Sequence, residues 1–285
     1  MSEKIIAFQG EIGANSHIAC SNVYPDWTPL PCATFEDAFF ALTEGQAELA
    51  MIPIENSLAG RVADIHTLLP SSKLFIIGEY FLPIHFQLVA TENANLGTIK
   101  NVYSHIHALG QCRKIIRKLG LRAHVAADTA GAAKDIAQLN DPTKAALATR
   151  LAAEIYGLQI LAEDVEDATH NTTRFIFLSR SPDWPLPHNG PVITSFVFRT
   201  RNIPAALYKA LGGFATNGIN MSKLESYMVG GEFAASQFYV EVEGHPEEPA
   251  LKRALEELTF FSKEVNILGV FPQSEFRKGM KTSAE

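Results

Sequence analysis

The sequence predicts a mostly parallel α/β arrangement followed by a separate βαββαβ module, and three observations lead there. Short apolar runs alternate with segments of helical period over residues 5–179. Polar groups repeatedly fall just after those runs, at residues 11–16, 55–57, 104–107 and 128–129. A proline-rich stretch, 181–191, then breaks the composition and reads as a linker.

The elements follow in order. Residues 5–8 are a buried strand, then come a turn at Gly10 and Gly13 and a helix from about Asn15. Apolar spacing makes 35–43 a helix, 48–54 a strand and 62–69 a helix. Strands over 75–81 and 84–91 follow, and between them the chain is expected to cross to a second lobe. Next come a strand at 101–103, one helix over 108–119, a strand at 123–127 and a helix over 129–139. A short strand at 145–149 runs into a helix at 151–156, and 175–179 returns to the sheet. Beyond the linker the expected order is strand 192–199, helix 204–217, strands 219–228 and 234–243, helix 246–261 and strand 264–271. That is the ferredoxin-like βαββαβ pattern. Pro204 suits a first helical turn and Gly218 the position after a helix end. The tail from Gln273 is polar and expected to fray.

Composition limits the function classes. With 285 residues, 47% hydrophobic and 19% charged, the chain can bury the core of two globular domains. A net charge of −7 argues against a phosphate-backbone binder. Arg113, Lys114, Arg117 and Lys118 lie at helical spacing and read as a solvated face. No run approaches the roughly 20 apolar residues that span a bilayer, and the start reads directly as a strand rather than a leader. Cys20, Cys32 and Cys112 are odd in number and far apart, which fits reduced thiols in a cytoplasmic protein. His105 and His107 have no acidic or cysteine partner at metal-ligand spacing, so no metal site is expected.

Chemistry concentrates at 170–178, where an amide (Asn171), two hydroxyls (Thr172, Thr173) and a guanidinium (Arg174) open an apolar strand. Arg174 offers a planar fork suited to a carboxylate, with a structural ion pair as its other reading. Ligands in open α/β sheets sit outside the carboxyl ends of strands, so the polar tips are expected to converge on one cleft. Asn56 and Ser104 follow strands and also suit turns and caps. Thr129, after Asp128, opens a helix whose N-terminus suits a carboxylate, or is capped by the chain itself.

Five segments together resemble prephenate dehydratases. They are Gly10-Glu-Ile-Gly-Ala-Asn-Ser16, Pro53-Ile-Glu-Asn-Ser-Leu-Ala-Gly60, Ser104-His-Ile-His-Ala-Leu-Gly-Gln-Cys112, Ala127-Asp-Thr-Ala-Gly-Ala-Ala133 and Thr173-Arg-Phe175, in family order and followed by the βαββαβ module. The resemblance covers nearly the whole chain. It implies a two-lobed catalytic domain like periplasmic solute-binding folds over 1–180, with lobe 1 at about 1–80 and 170–180 and lobe 2 at about 81–169. A linker at 181–191, an ACT regulatory domain at 192–272 and a tail at 273–285 complete the expected organisation. It implies conversion of prephenate to phenylpyruvate, carbon dioxide and water, with no metal or organic cofactor. Arogenate in place of prephenate, or a non-catalytic solute sensor, are the competing readings.

By resemblance, Thr173 lies closest to the leaving hydroxyl, and Asn56, Ser104 and Gln111 share catalysis. Arg174, Thr129, Ser16, Asn171 and Phe175 are the implied substrate contacts, while Glu55 is expected to be structural because it would repel a dianion. The ACT resemblance implies phenylalanine bound at Asn202, Ala205, Ala206, Leu207, Asn220, Leu224, Glu225 and Ser226, in a homodimer or homotetramer. Two positions depart from the family. His105-Ile106-His107 replaces His-Pro-Gln, leaving His107 either at the cleft or on a helix start. Glu225-Ser226-Tyr227-Met228 replaces Glu-Ser-Arg-Pro, which removes a positive charge from the effector site.

Overall fold

The computed structural model describes residues 3–201, 203–228 and 235–282. In chain order the elements are β1 (Ile5–Gln9), α1 (Asn15–Val23), β2 (Thr28–Cys32), α2 (Phe35–Thr43), β3 (Leu49–Asn56), β4 (Gly60–Arg61), α3 (Ala63–Ser71), β5 (Phe75–Pro83), β6 (Gln87–Ala90) and β7 (Asn101–Ser104). Then come α4 (Ile106–Gln111), α5 (Arg113–Lys118), β8 (Arg122–Val125), α6 (Thr129–Leu139), β9 (Lys144–Ala148), α7 (Arg150–Tyr156), β10 (Gln159–Ala162) and β11 (Thr172–Ser179). The last are β12 (Val192–Thr200), α8 (Ala206–Thr216), β13 (Met221–Met228), β14 (Ala235–Glu243), α9 (Pro249–Phe261), β15 (Ser262–Pro272) and α10 (Glu275–Thr282). No helix among the described residues is long and apolar enough to cross a membrane.

The chain up to Val62 together with Tyr80–Phe175 forms one compact unit; Ala63–Glu79 together with the chain from Ile176 forms the other. The division therefore does not fall at the proline-rich stretch. α3, the first half of β5 and the second half of β11 pack with the C-terminal module, because β15 pairs with β5 at Gly269↔Ile76.

The first unit has two lobes. In the first lobe β1 pairs in parallel with β2 and β3, and β3 is followed by β11 and β5 in the sheet order. In the second the order is β10-β6-β9-β7-β8. Its β7 pairs are parallel, but β6 is antiparallel to both neighbours, so this sheet is mixed where a mostly parallel one was expected. Local chemistry sets the helix starts. Thr34 and Asp37 exchange a capping box at α2, Asp128 caps α6, and Thr149 caps α7. The left-handed residues Asn140 and Gly157 stop the last two.

Three departures have physical causes. β2, a segment to which the sequence pattern assigns no element, carries two prolines and lies at the end of the sheet order, where the ladder needs donors on one side only. The expected single helix over 108–119 breaks at Cys112, because the Asp167 carboxylate accepts the N–H groups of Arg113 and Lys114 and starts a new helix. The tail does not fray from Gln273: it forms α10, held by the Arg277 guanidinium on the Glu79 carboxylate at 2.7 Å.

In the second unit β13-β14-β12-β15 make an antiparallel sheet in ferredoxin-like order. α8 and α9 cover one face over Phe196, Phe198, Phe214, Val240 and Leu258. α8 begins at Ala206, two residues after Pro204, and its N-cap Ala205 is left-handed, so Pro204 is not its first residue.

The lobes of the first unit meet at the loop before α1. Thr149 Oγ1 donates to the Gly13 carbonyl at 2.5 Å and Tyr156 Oη to that of Ile12 at 2.8 Å. Gly13 has φ +93°, and a Cβ there would stand 2.8 Å from Ala152 Cα. Gly13→Ala should therefore lower stability by about 2–4 kcal/mol. Urea unfolding measures it, and an unchanged midpoint would show that the close approach is not required.

Candidate active site

β3 ends in Asn56, whose side chain is held from two directions. Its Oδ1 accepts the backbone N–H groups of Leu58 (3.0 Å) and Ala59 (2.8 Å). That fixes the amide, so Nδ2 faces the start of β11 and the residue before it, donating to Thr173 Oγ1 (2.9 Å) and Asn171 Oδ1 (2.8 Å), with the Thr172 carbonyl at 3.2 Å. Asn171 Nδ2 in turn donates to Gln111 Oε1 at 2.8 Å. Ser57 clamps the same turn, its Oγ donating to the His170 carbonyl and accepting from Thr172 N–H.

Two donors are left over. Thr173 Oγ1 accepts from Asn56, and no hydrogen bond among the described residues takes its own proton. Gln111 accepts at Oε1 and its Nε2 makes no bond among them either. Gln111 is the last residue of α4 and lines a cleft of about 770 Å³ with Leu58, Ala59, His107, Arg113 and Asp167. Three apolar side chains form much of the rest of its wall: Leu58, Ile106 (54% exposed) and Val125 (66% exposed).

The carboxylates near the cleft are engaged. Asp167 accepts the α5 N-terminus, and Glu55 accepts from Arg174. Asp128 Oδ1 accepts from Gly131 N–H at 2.7 Å. The polar groups on the cleft wall are thus the His107 imidazole, the Arg113 guanidinium, the Gln111 amide and the helix-bound Asp167 carboxylate. His107 is both on the start of α4 and at the cleft; its neighbour His105 has its pKa lowered by burial and by His107, opposed by Asp128. Burial, followed by the Glu166 and Asp167 charges, pushes the Cys112 thiol up, and burial pushes Cys20 up to about 12, so neither is a ready nucleophile.

A prephenate dehydratase family model matches residues 6–183. The chain belongs to the prephenate dehydratase family. Members of this family are lyases of aromatic amino acid biosynthesis, and the chain is an enzyme of that class. A bifunctional N-acyl-homoserine lactone acylase/prephenate dehydratase of Komagataeibacter europaeus is 52% identical over 97% of this chain and 98% of its own length. An arogenate dehydratase/prephenate dehydratase of Arabidopsis thaliana is 38% identical over 94% of this chain and 72% of its own. The structure of a prephenate dehydratase from Arthrobacter aurescens in complex with L-Phe superposes with a TM-score of 0.86, at 29% identity over 98% of this chain and 97% of that one.

Against the family's motifs, the structure brings together Asn56, Gln111, Asn171 and Thr173 and separates the others. Ser104 is fully buried, and its Oγ donates to the Leu147 carbonyl at 2.6 Å, tying β7 to β9 rather than facing a substrate. Phe175 is 1% exposed and belongs to the core. Ser16 is buried in the first turn of α1, and none of the hydrogen bonds among Asn56, Asn171, Thr173 and Gln111 involves it. Thr129 opens α6, but the N-terminus there already holds the Asp128 carboxylate, so the capping reading applies. Arg174 is the largest correction. Its side chain is 3% exposed, its Nη1 is 3.0 Å from Glu55 Oε1, and its guanidinium lies over the Phe81 ring at 5.8 Å. The expected carboxylate clamp is therefore an internal ion pair.

Arg113 was missed as a cleft cation, because helical spacing makes it look like its neighbours Lys114, Arg117 and Lys118. The cluster of His85, Asp164 and Glu166, with His85 Nδ1 2.7 Å from Glu166 Oε1, joins segments 81 residues apart in sequence and left no spacing signal.

At the expected effector site, Asn202 lies outside the described residues. Along β13, Glu225 pairs opposite Tyr239 and faces the other side of the sheet from exposed Leu224 and Ser226. Ala206 is buried, Leu207 packs on the helix-side core, and the Asn220 carbonyl accepts from Glu243 N–H. Among the described residues, Leu224 and Ser226 thus face away from Glu225 within a single chain.

Arg174→Leu removes a buried guanidinium that bonds Glu55 and lies over the Phe81 ring, and should cost about 2–4 kcal/mol of stability. Chemical denaturation measures this. Wild-type stability together with a large rise in substrate KM would restore the clamp.

Proposed function

We propose that the protein converts prephenate to phenylpyruvate, carbon dioxide and water, and that Thr173 serves the departing oxygen. The observation that carries this reading is the Thr173 hydroxyl, which accepts from Asn56 and keeps its own proton unengaged among the described residues. Prephenate carries two carboxylates and a ring hydroxyl. As the ring carboxylate leaves as carbon dioxide, its bonding pair enters the ring and expels hydroxide, which takes a proton and departs as water. The product ring is aromatic, so the enzyme needs to position the dianion and stabilise the leaving oxygen. A threonine hydroxyl is a poor acid at neutral pH, so it donates a hydrogen bond or relays a proton and does not ionise. Asn56 polarises it by donating to the same oxygen.

In place of Arg174, Arg113 is the carboxylate partner in this reading, supported by its place on the cleft wall beside Gln111 and His107. Arogenate shares the leaving groups and differs in the side arm; relatives named for both reactions match this chain, and initial rates on the two substrates separate them.

A second reading has its own support: the 52% identical relative is named for acylase activity as well, and the cleft wall is apolar enough for an acyl chain. Release of homoserine lactone from an N-acyl substrate tests it.

The ferredoxin-like module is proposed as an ACT-type domain that binds L-phenylalanine between the chains of a homo-oligomer in the cytoplasm, since the Arthrobacter relative was solved with L-Phe. Effector sites shared between chains accord with the failure of Leu224 and Glu225 to face one pocket. Added phenylalanine should lower activity and raise the melting temperature; no change in either would count against this role.

Thr173→Ala should reduce phenylpyruvate formation from prephenate by about 10²- to 10⁴-fold with the fold intact. Absorbance of phenylpyruvate follows it, and wild-type turnover would remove Thr173 from the mechanism.

A further inference from the structure

The geometry points to Asn171 as a positioning residue that decides which way the Gln111 amide faces the cleft. It rests on the proposed dehydratase reading for its meaning, but its geometry stands apart from it. An amide side chain offers an oxygen at one end and two protons at the other, and its orientation follows from its partners. Here the chain of choices starts at backbone groups that cannot reverse. The Leu58 and Ala59 N–H groups require Asn56 Oδ1. Asn56 Nδ2 then requires an acceptor at position 171, so Asn171 presents Oδ1 to it and Nδ2 to the other side. That donor requires Gln111 Oε1, which leaves Gln111 Nε2 directed away from the chain of amides.

Asn171 is 2% exposed, so solvent does not relax the choice. The cleft end of the relay is therefore a hydrogen-bond donor, suited to a carboxylate. If the relay were reversed, Gln111 would present its oxygen to the same dianion, a repulsive contact. Asn171 itself need not touch substrate: it bridges Asn56 at the end of β3 to Gln111 at the end of α4, and its part is to keep Gln111 a donor.

Asn171→Asp tests this, because the replacement keeps the acceptor for Asn56 but offers a second oxygen to Gln111. The Gln111 amide should turn to donate to that carboxylate, and its oxygen should face the cleft. We expect kcat/KM to fall about 100-fold. In a Gln111→Leu background the same replacement should cost less than a further two- to three-fold, since Asn171 acts through Gln111. Multiplying losses would overturn the assignment, as would a wild-type rate in Asn171→Asp. As pH falls and the new carboxyl takes up a proton, it again donates to Gln111 Oε1, so the rate relative to wild type should recover; a ratio flat with pH would contradict this.

A readout without turnover keeps the two claims apart. The Gln111 side-chain amide signal in ¹⁵N-resolved NMR, assigned by its loss in Gln111→Leu, should move downfield in Asn171→Asp as the amide becomes a donor to a charged oxygen. An unmoved signal overturns the relay. A moved signal in a protein that forms no phenylpyruvate from prephenate or arogenate overturns only the reaction. Should the buried charge prevent folding, Asn171→Ser, too short to reach Gln111, should lose about ten-fold in kcat/KM; wild-type kinetics there would equally overturn it.

Discussion

Two backbone N–H groups, on Leu58 and Ala59, settle the polarity of the whole site by claiming the Asn56 oxygen. Everything downstream follows from the one-way nature of an amide. The Thr173 oxygen becomes an acceptor from protein and its proton remains to be given elsewhere. The Asn171 amide is turned, and through it that of Gln111. Buried polar groups of this kind are costly unless each is satisfied, which makes the arrangement rigid as well as directional. The elements serve that chain: β3 delivers Asn56 to its end, β11 begins at the pair it contacts, and the break in the helix at Cys112 places Gln111 at the last turn of α4.

Electrostatics supports the same reading by subtraction. The acidic side chains around the site are spent on the protein itself: Glu55 on Arg174, Asp128 on the α6 N-terminus, Asp167 on that of α5. Glu166 is spent likewise, on His85 and the Phe86 N–H. The remaining polar face of the cleft is His107, Arg113 and Gln111. A chain with a net charge of −7 thereby offers a locally receptive place for a dianion. The second unit handles buried charge in a related way, with Glu241 fully buried and held by Tyr239, Ser195 and Arg277.

Much of this was legible in the residues, and what was not has identifiable causes. Apolar periodicity and capping residues set the helices beginning at Phe35 and Thr129 and the βαββαβ order, since those signals are local. The break at Cys112 was not local: it depends on Asp167, distant in sequence. The motifs marked Ser104, Arg174 and Phe175 as important but carry no information on whether a side chain faces a ligand or holds the sheet that presents it. Ser104 and Arg174 do the latter through bonds to Leu147 and Glu55. Arg113 was hidden for the opposite reason, being one cation among four at the same spacing.

The most direct measurement is a neutron diffraction structure with a bound prephenate analogue that keeps the ring hydroxyl but cannot lose carbon dioxide. The account predicts deuterium on Thr173 Oγ1 directed at the analogue's hydroxyl oxygen, and Gln111 Nε2 directed at a carboxylate. Deuterium on Thr173 turned toward Asn56, or Gln111 presenting its oxygen to the analogue, would contradict it.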